Sequence, residues 1–300
     1  LENQLSEAIR RDEPPAVLLR RYYLPMFAAA VSIGDIARAQ RLRNIIKDVE
    51  IPESDLSQWF NLNFNFELDQ YRLAAASTIA ERHLKWAQER QLPDEESVAC
   101  FNLGTVALVR RDIAEAEGWY LKTLASEEKQ GNEHGAAGTY HQLGVIAQER
   151  RDFAGAEGWY LKSLAIKEKQ GNEHDAASTY HQLGMVAQAR RDFAGAEGWY
   201  LKSLAIEEKQ GNEHGAAITY GQLANLAWER GDFKKTGTLF LKALIGFITN
   251  NDQHYAGVAL NSFVRLFHEA PPAEREQLRE MGRKALGEKG MKEVEEKAKG

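Results

Sequence analysis

The chain has 300 residues, 43% apolar and 27% charged, with a formal net charge of −6, 7 prolines and one cysteine. No run approaches the 18 consecutive apolar residues of a membrane span, the acidic balance lacks the clustered Lys and Arg that phosphates demand, and a lone Cys100 builds no disulfide framework. A soluble, cytoplasmic protein is expected, with neither nucleic-acid nor membrane partners.

The opening segment, LENQLSEAIRR, is polar and amphipathic without the zones of a signal peptide, and it starts at Leu1, so the chain reads as a piece of a longer polypeptide. Residues 1–94 read as degenerate helical repeats and a cap. IGDIARAQRLRNII suggests a hairpin over about 15–48, and YRLAAASTIAERHLKWAQER (71–90) runs in register with RDIAEAEGWYLKTLASEEKQ (111–130).

Between 95 and 250 the periodicity becomes explicit. Residues 131–170 and 171–210 differ at only six of 40 positions, and the same step carries Leu143-Gly144 onto Leu103-Gly104, Leu183-Gly184 and Leu223-Ala224. Four clear repeats follow. Self-similarity at this period predicts an all-α solenoid, a quasi-linear array in which each unit buries its apolar face on its neighbours. Within a unit, Tyr140, Leu143, Gly144 and Ala147 share one helical face, and Phe153, Ala156, Tyr160 and Leu164 share another. Each unit is therefore a helical hairpin. Arg150-Arg151-Asp152 is its turn, Gly131, Gly171 and Gly211 are candidate left-handed C′ residues, and Asn132, Asn172 and Asn212 are candidate N-caps. Gly144 and Ala156 should let the paired helices approach closely. Residues 251–288 read as a degenerate C-terminal repeat and cap, with Phe263 and Phe267 in core slots and a last helix near 273–287 after Pro271-Pro272. Residues 289–300, of mixed charge, are expected to fray.

The pattern Tyr140-x2-Leu143-Gly144-x2-Ala147 followed by Ala156-x3-Tyr160 resembles the tetratricopeptide consensus W-x2-L-G-x2-Y…A-x3-F. Two features depart from it: the repeat is 40 residues rather than 34, and Glu168 stands where a proline usually closes the second helix, which should lengthen that helix. Long repeats of this kind are similar to those of kinesin light chains, Pins-type scaffolds and the sensor arrays of bacterial STAND ATPases. The resemblance implies a right-handed α-solenoid of stacked antiparallel hairpins that binds a protein or peptide in a concave groove lined by the first helices. Carried across by register, the groove residues are Asn102, Thr105, His141, Gln142, Val145, Gln148, His181, Gln182, Met185, Gln188, Gln222, Asn225 and Trp228. The amides among them could pair with the backbone of an extended peptide. The Lys/Arg clamp of chaperone-type grooves is missing, so capture of a C-terminal carboxylate is not expected.

The turn arginines Arg110, Arg111, Arg150, Arg151, Arg190 and Arg191 could form a charged edge that steers an acidic partner, or simply a solvated face. Five repeated histidines, His134, His141, His174, His181 and His214, match no metal-ligand spacing and read as products of duplication. Trp119, Trp159 and Trp199 read as inter-repeat packing, with an outer docking strip as the alternative. No nucleophile or phosphate-binding motif is present, and neither catalysis nor a cofactor is expected. The reading that results is the ligand-recognition module of a larger bacterial signalling or defence protein. The alternative is a structural or self-association array that spaces or oligomerises other domains.

Overall fold

The computed structural model describes residues 1–47 and 49–298, and every regular element among them is helical. In chain order these are α1 (Glu2–Arg10), α2 (Pro15–Leu18), a π-helical turn (Leu19–Tyr23), α3 (Leu24–Ser32), α4 (Ile36–Ile46), α5 (Glu53–Asp69) and α6 (Leu73–Glu89). There follow α7 (Pro93–Val109), α8 (Ile113–Gln130), α9 (Glu133–Glu149), α10 (Phe153–Lys169), α11 (Glu173–Ala189) and α12 (Phe193–Lys209). The last are α13 (Glu213–Glu229), α14 (Phe233–Thr249), α15 (Gln253–Glu269) and α16 (Pro272–Lys297). Helices adjacent in the chain are adjacent in space, α7 on α8, α11 on α12 and α13 on α14, the arrangement of a tetratricopeptide-like array. The contacts divide the chain into two compact units, Leu1–Ile146 and Ala147–Gly300.

The connections are built by capping. Asp112, Asp152, Asp192 and Asp232 accept from the backbone N–H three residues on at 2.9–3.0 Å, and Asn132, Asn172 and Asn212 do the same one helix later at 3.0–3.2 Å. Gly131, Gly171 and Gly211 take φ of 67–69°, the left-handed conformation expected of them. The arginine before each Asp does likewise without glycine's freedom: Arg111, Arg151 and Arg191 have φ of 61–65°, whereas Gly231 occupies that slot in the next turn.

In the first unit, Leu19, Phe27, Ile46 and Phe66 form a core between α1 and α5, and Phe60, Ile79, Leu103 and Val106 continue it into α6 and α7. In the second unit, α11–α14 bury Tyr200, Leu204, Leu223 and Leu226. The hairpin expected over 15–48 corresponds to α2–α4, with residue 48 outside the described residues.

The C-terminal segment corrects the expectation of fraying. The chain stays helical to Lys297, breaking only at Gly287 (φ 75°, ψ 172°), where it turns back on itself. Met291 and Val294 are then fully buried against Phe263 and Leu278. The Met291 sulfur packs onto Gly282, where a Cβ would lie 2.4 Å from it. The residues of the expected frayed end that remain, 299 and 300, lie outside those described.

Candidate functional site

Along each first helix the apolar positions at Leu143, Leu183 and Leu223 point into the core, and the residues just before them fall on the rim. Asn102 and Gln142 in the first unit, and Gln182 and Gln222 in the second, are half-buried. Among the described residues their amides make no side-chain hydrogen bond, so their donors and acceptors are uncommitted. Val145 and Met185 lie half-buried beside them, and Asn225 is exposed.

In the second unit α11, the end of α12 and the start of α13 enclose a cavity of about 260 Å³ lined by His174, Ser178, His181, Gln182, Gln210 and Ile218 among others. Its polar groups are set by internal contacts. His181 Nδ1 lies 3.1 Å from Thr219 Oγ1, and its ring stands 5.3 Å from that of Tyr200. Burial holds the His181 pKa below the usual imidazole value, which keeps the ring neutral near pH 7. His174 Nδ1 lies 3.4 Å from Gln210 Oε1.

Other predicted groove residues carry contacts within the fold. Gln148 and Gln188 accept from the Tyr160 and Tyr200 hydroxyls at 3.1 and 3.0 Å. Thr105 lies 3.2 Å from the Tyr120 hydroxyl and donates to the Phe101 carbonyl at 3.1 Å. Trp228 packs edge-on to Phe240 and is capped by the Arg265 guanidinium 4.7 Å above its ring. His141 sits half-buried on α9 next to Gln142.

The turn arginines do not form a free cationic line. Arg110 and Arg230 donate to the carbonyls of Leu73 and Phe193, 37 residues earlier, at 3.1 and 2.9 Å. Arg190 and Arg230 also pair with Glu157 and Glu197. The first arginine of these turns thus staples a repeat to its predecessor, while Arg111, Arg151 and Arg191 stand exposed in the turn. The tryptophan column is half-buried, with Lys122, Lys162 and Lys202 over Trp119, Trp159 and Trp199 at 5.7, 4.6 and 4.5 Å.

Among the described residues no cluster of three His, Cys, Asp or Glu side chains could hold a metal ion, and no helix is long and apolar enough to cross a membrane.

Solved structures similar in fold include the following three. BtubC (BKLC) from P. vanneervenii shares 19% identity over 76% of this chain and 92% of its own, with a TM-score of 0.58. A Rap protein complexed with competence and sporulation factor shares 14% over 88% and 75%, at 0.57. The STAND protein with a tetratricopeptide repeat sensor from Pyrococcus horikoshii shares 15% over 95% of this chain and 46% of its own, at 0.57. No curated protein matches the sequence. Among known families the match is to the tetratricopeptide repeat, over residues 136–169 and again over 175–244. With the capped hairpins described above, these segments are tetratricopeptide repeats.

Proposed function

We propose that the first-helix face of these repeats binds an extended polypeptide segment. The observation that carries this reading is the pairing of uncommitted amides, Gln182 and Gln222, with the cavity bordered by His174 and His181 in the same unit. An amide can donate to a peptide carbonyl and accept from its N–H, and the adjoining cavity takes a side chain. The similarity to a Rap protein complexed with competence and sporulation factor supports a peptide as ligand. The similarity to a signal-transduction STAND protein with a tetratricopeptide repeat sensor supports these repeats as the recognition module of a larger signalling protein.

The test is selection of peptides on the immobilised full chain from a displayed random library, followed by titration. Gln182→Ala combined with Gln222→Ala should weaken the selected peptide at least tenfold, since each lost amide strands a buried peptide group at about 1–3 kcal/mol. The melting temperature should be unchanged. A double variant that binds as wild type would move recognition away from this face.

A further inference from the structure

A second cavity, of about 530 Å³, opens between α12 and α14, over the start of α13. It arises where the sequence departs from its own repeat. In α12 the second half carries Ile206 and Lys209, and at the same register α14 carries Gly246 and Thr249. Gly246 lets its helix lie directly on α13, since a Cβ there would stand 2.8 Å from Ala217 Cβ, and it leaves the space beside it unfilled.

The preceding repeat displays what fits. Lys209 Nζ donates to both carboxylate oxygens of Glu173, at 2.7 and 2.8 Å. Glu213 repeats Glu173 one step on, but Thr249 replaces the lysine and its hydroxyl donates to the Ile245 carbonyl at 2.9 Å. Among the described residues no cation pairs with Glu213. Beneath it Glu207, 7% exposed, lines the same cavity. Its Oε1 accepts from Ser203 Oγ at 3.2 Å, whereas its buried Oε2 has no hydrogen-bond partner. Glu208 is engaged by the Tyr220 hydroxyl. The one basic lining residue, Lys242, is committed to Tyr220, with its Nζ 4.6 Å from the ring centroid and donating to Oη at 3.3 Å. Three carboxylates thus face one engaged ammonium around a floor of Ala216, Ala217, Ile245 and Gly246.

We propose that this cavity is a second recognition site, taking the side chain of a lysine presented by a partner polypeptide. The ammonium pairs with Glu213 as Lys209 pairs with Glu173, and the butyl stem covers the apolar floor. The site shares Glu207 and Asn212 with the smaller cavity but includes neither Gln182 nor Gln222, so the double amide variant distinguishes it from the peptide reading given above.

The test is calorimetric titration of the full chain with acetyl-Gly-Lys-Gly-amide and with its norleucine counterpart, which keeps the stem and lacks the charge. The lysine peptide should saturate and the norleucine peptide should bind at least tenfold more weakly. Thr249→Lys, which installs the residue that α12 carries on an exposed position, should weaken the lysine peptide at least tenfold with an unchanged melt, as should Glu213→Gln. Gln182→Ala with Gln222→Ala should leave it unaltered. Equal binding of the norleucine peptide, wild-type binding by Thr249→Lys, or no saturation at millimolar concentration would overturn the proposal. So would tighter binding of 1,5-diaminopentane than of the lysine peptide, which would assign the cavity to a free amine.

Discussion

The Tyr200 hydroxyl donates to Gln188 Oε1 at 3.0 Å while its ring lies against Gly184, where an added Cβ would stand 2.5 Å from Tyr200 Cε1. The paired helices meet through this three-residue contact: glycine admits the ring, the ring fills the space, and the amide satisfies a hydroxyl carried by a fully buried residue. The contact varies with its parts. Gly104 and Tyr120 keep the steric half, but Leu108 offers no acceptor, and the hydroxyl lies instead 3.2 Å from Thr105. In α13 and α14 the glycine becomes Ala224, the tyrosine becomes Phe240 with no hydroxyl to satisfy, and Trp228 takes the glutamine's place with its ring centroid 5.9 Å from that of Phe240.

Two glycine substitutions should therefore act in opposite directions. Gly184→Val places methyl groups where the rigid Tyr200 ring already sits, and overpacking of this kind costs about 1–3 kcal/mol. Gly198 lies mid-helix on α12, exposed, with nothing within 4 Å of an added Cβ, so Gly198→Ala should stabilise by about 0.5–1 kcal/mol. Urea unfolding measures both. A stabilised Gly184→Val variant would mean that the helices are not held at this distance.

The amides should likewise separate into scaffold and rim. Gln188→Ala strands the Tyr200 hydroxyl, a loss of about 1–3 kcal/mol, whereas Gln182→Ala removes no side-chain hydrogen bond and should leave the unfolding midpoint in place. Equal effects on stability would show that position along the helix does not distinguish these residues.

The repeat, its hairpins and its Asn and Gly caps were legible in the sequence because duplication writes the same local chemistry several times at one spacing. The division of the predicted groove was not. Gln182 and Gln188 differ by six residues on one helix, and only the packing of Tyr200 from α12 commits the second of them. The left-handed arginines are not legible from propensity, which assigns that conformation to glycine; Gly231 in the equivalent turn is the signal the sequence offers. The buried return of Met291 and Val294 was hidden by mixed charge around two apolar positions three residues apart. The sequence carries a further pattern. Glu127, Lys167 and Glu207 share a register, as do Gly135, Asp175 and Gly215 eight residues later.

That pattern is a coupled pair at successive repeat interfaces. Lys167 is buried, with its Nζ donating to Thr179 Oγ1 at 2.9 Å and to the Asp175 carbonyl at 3.3 Å, beside a residue of opposite charge. Where the residue is Glu207 the partner is Gly215, whose added Cβ would lie 3.1 Å from Glu207 Oε1. Lys167→Glu alone should be strongly destabilising, since it sets two carboxylates together out of water. Adding Asp175→Gly rebuilds the Glu207–Gly215 arrangement and should recover most of the loss. A double-mutant cycle should give a coupling of about 0.5–3 kcal/mol, and additive effects would disprove the pairing.

Glu127 gives a pH test in the first unit. The carboxylate is buried on α8 and accepts from Thr139 Oγ1 at 2.8 Å, but burial outweighs that bond and pushes its pKa above the ordinary 4.5. The folded state therefore holds this proton at a pH where the unfolded chain has released it. With the native pKa raised, this group's contribution to stability is smallest at neutral pH, increases as pH falls through the raised value, and levels off below 4.5. Glu127→Gln removes the charge while its side-chain carbonyl still accepts from Thr139. The variant should exceed the wild type in stability at pH 7, and the difference should shrink steadily toward pH 4.5. Because every other titrating group is common to both proteins, the difference in urea midpoint isolates this residue. A difference that is constant with pH, or that grows in acid, would show that the Glu127 carboxyl is not held above its ordinary pKa in the fold.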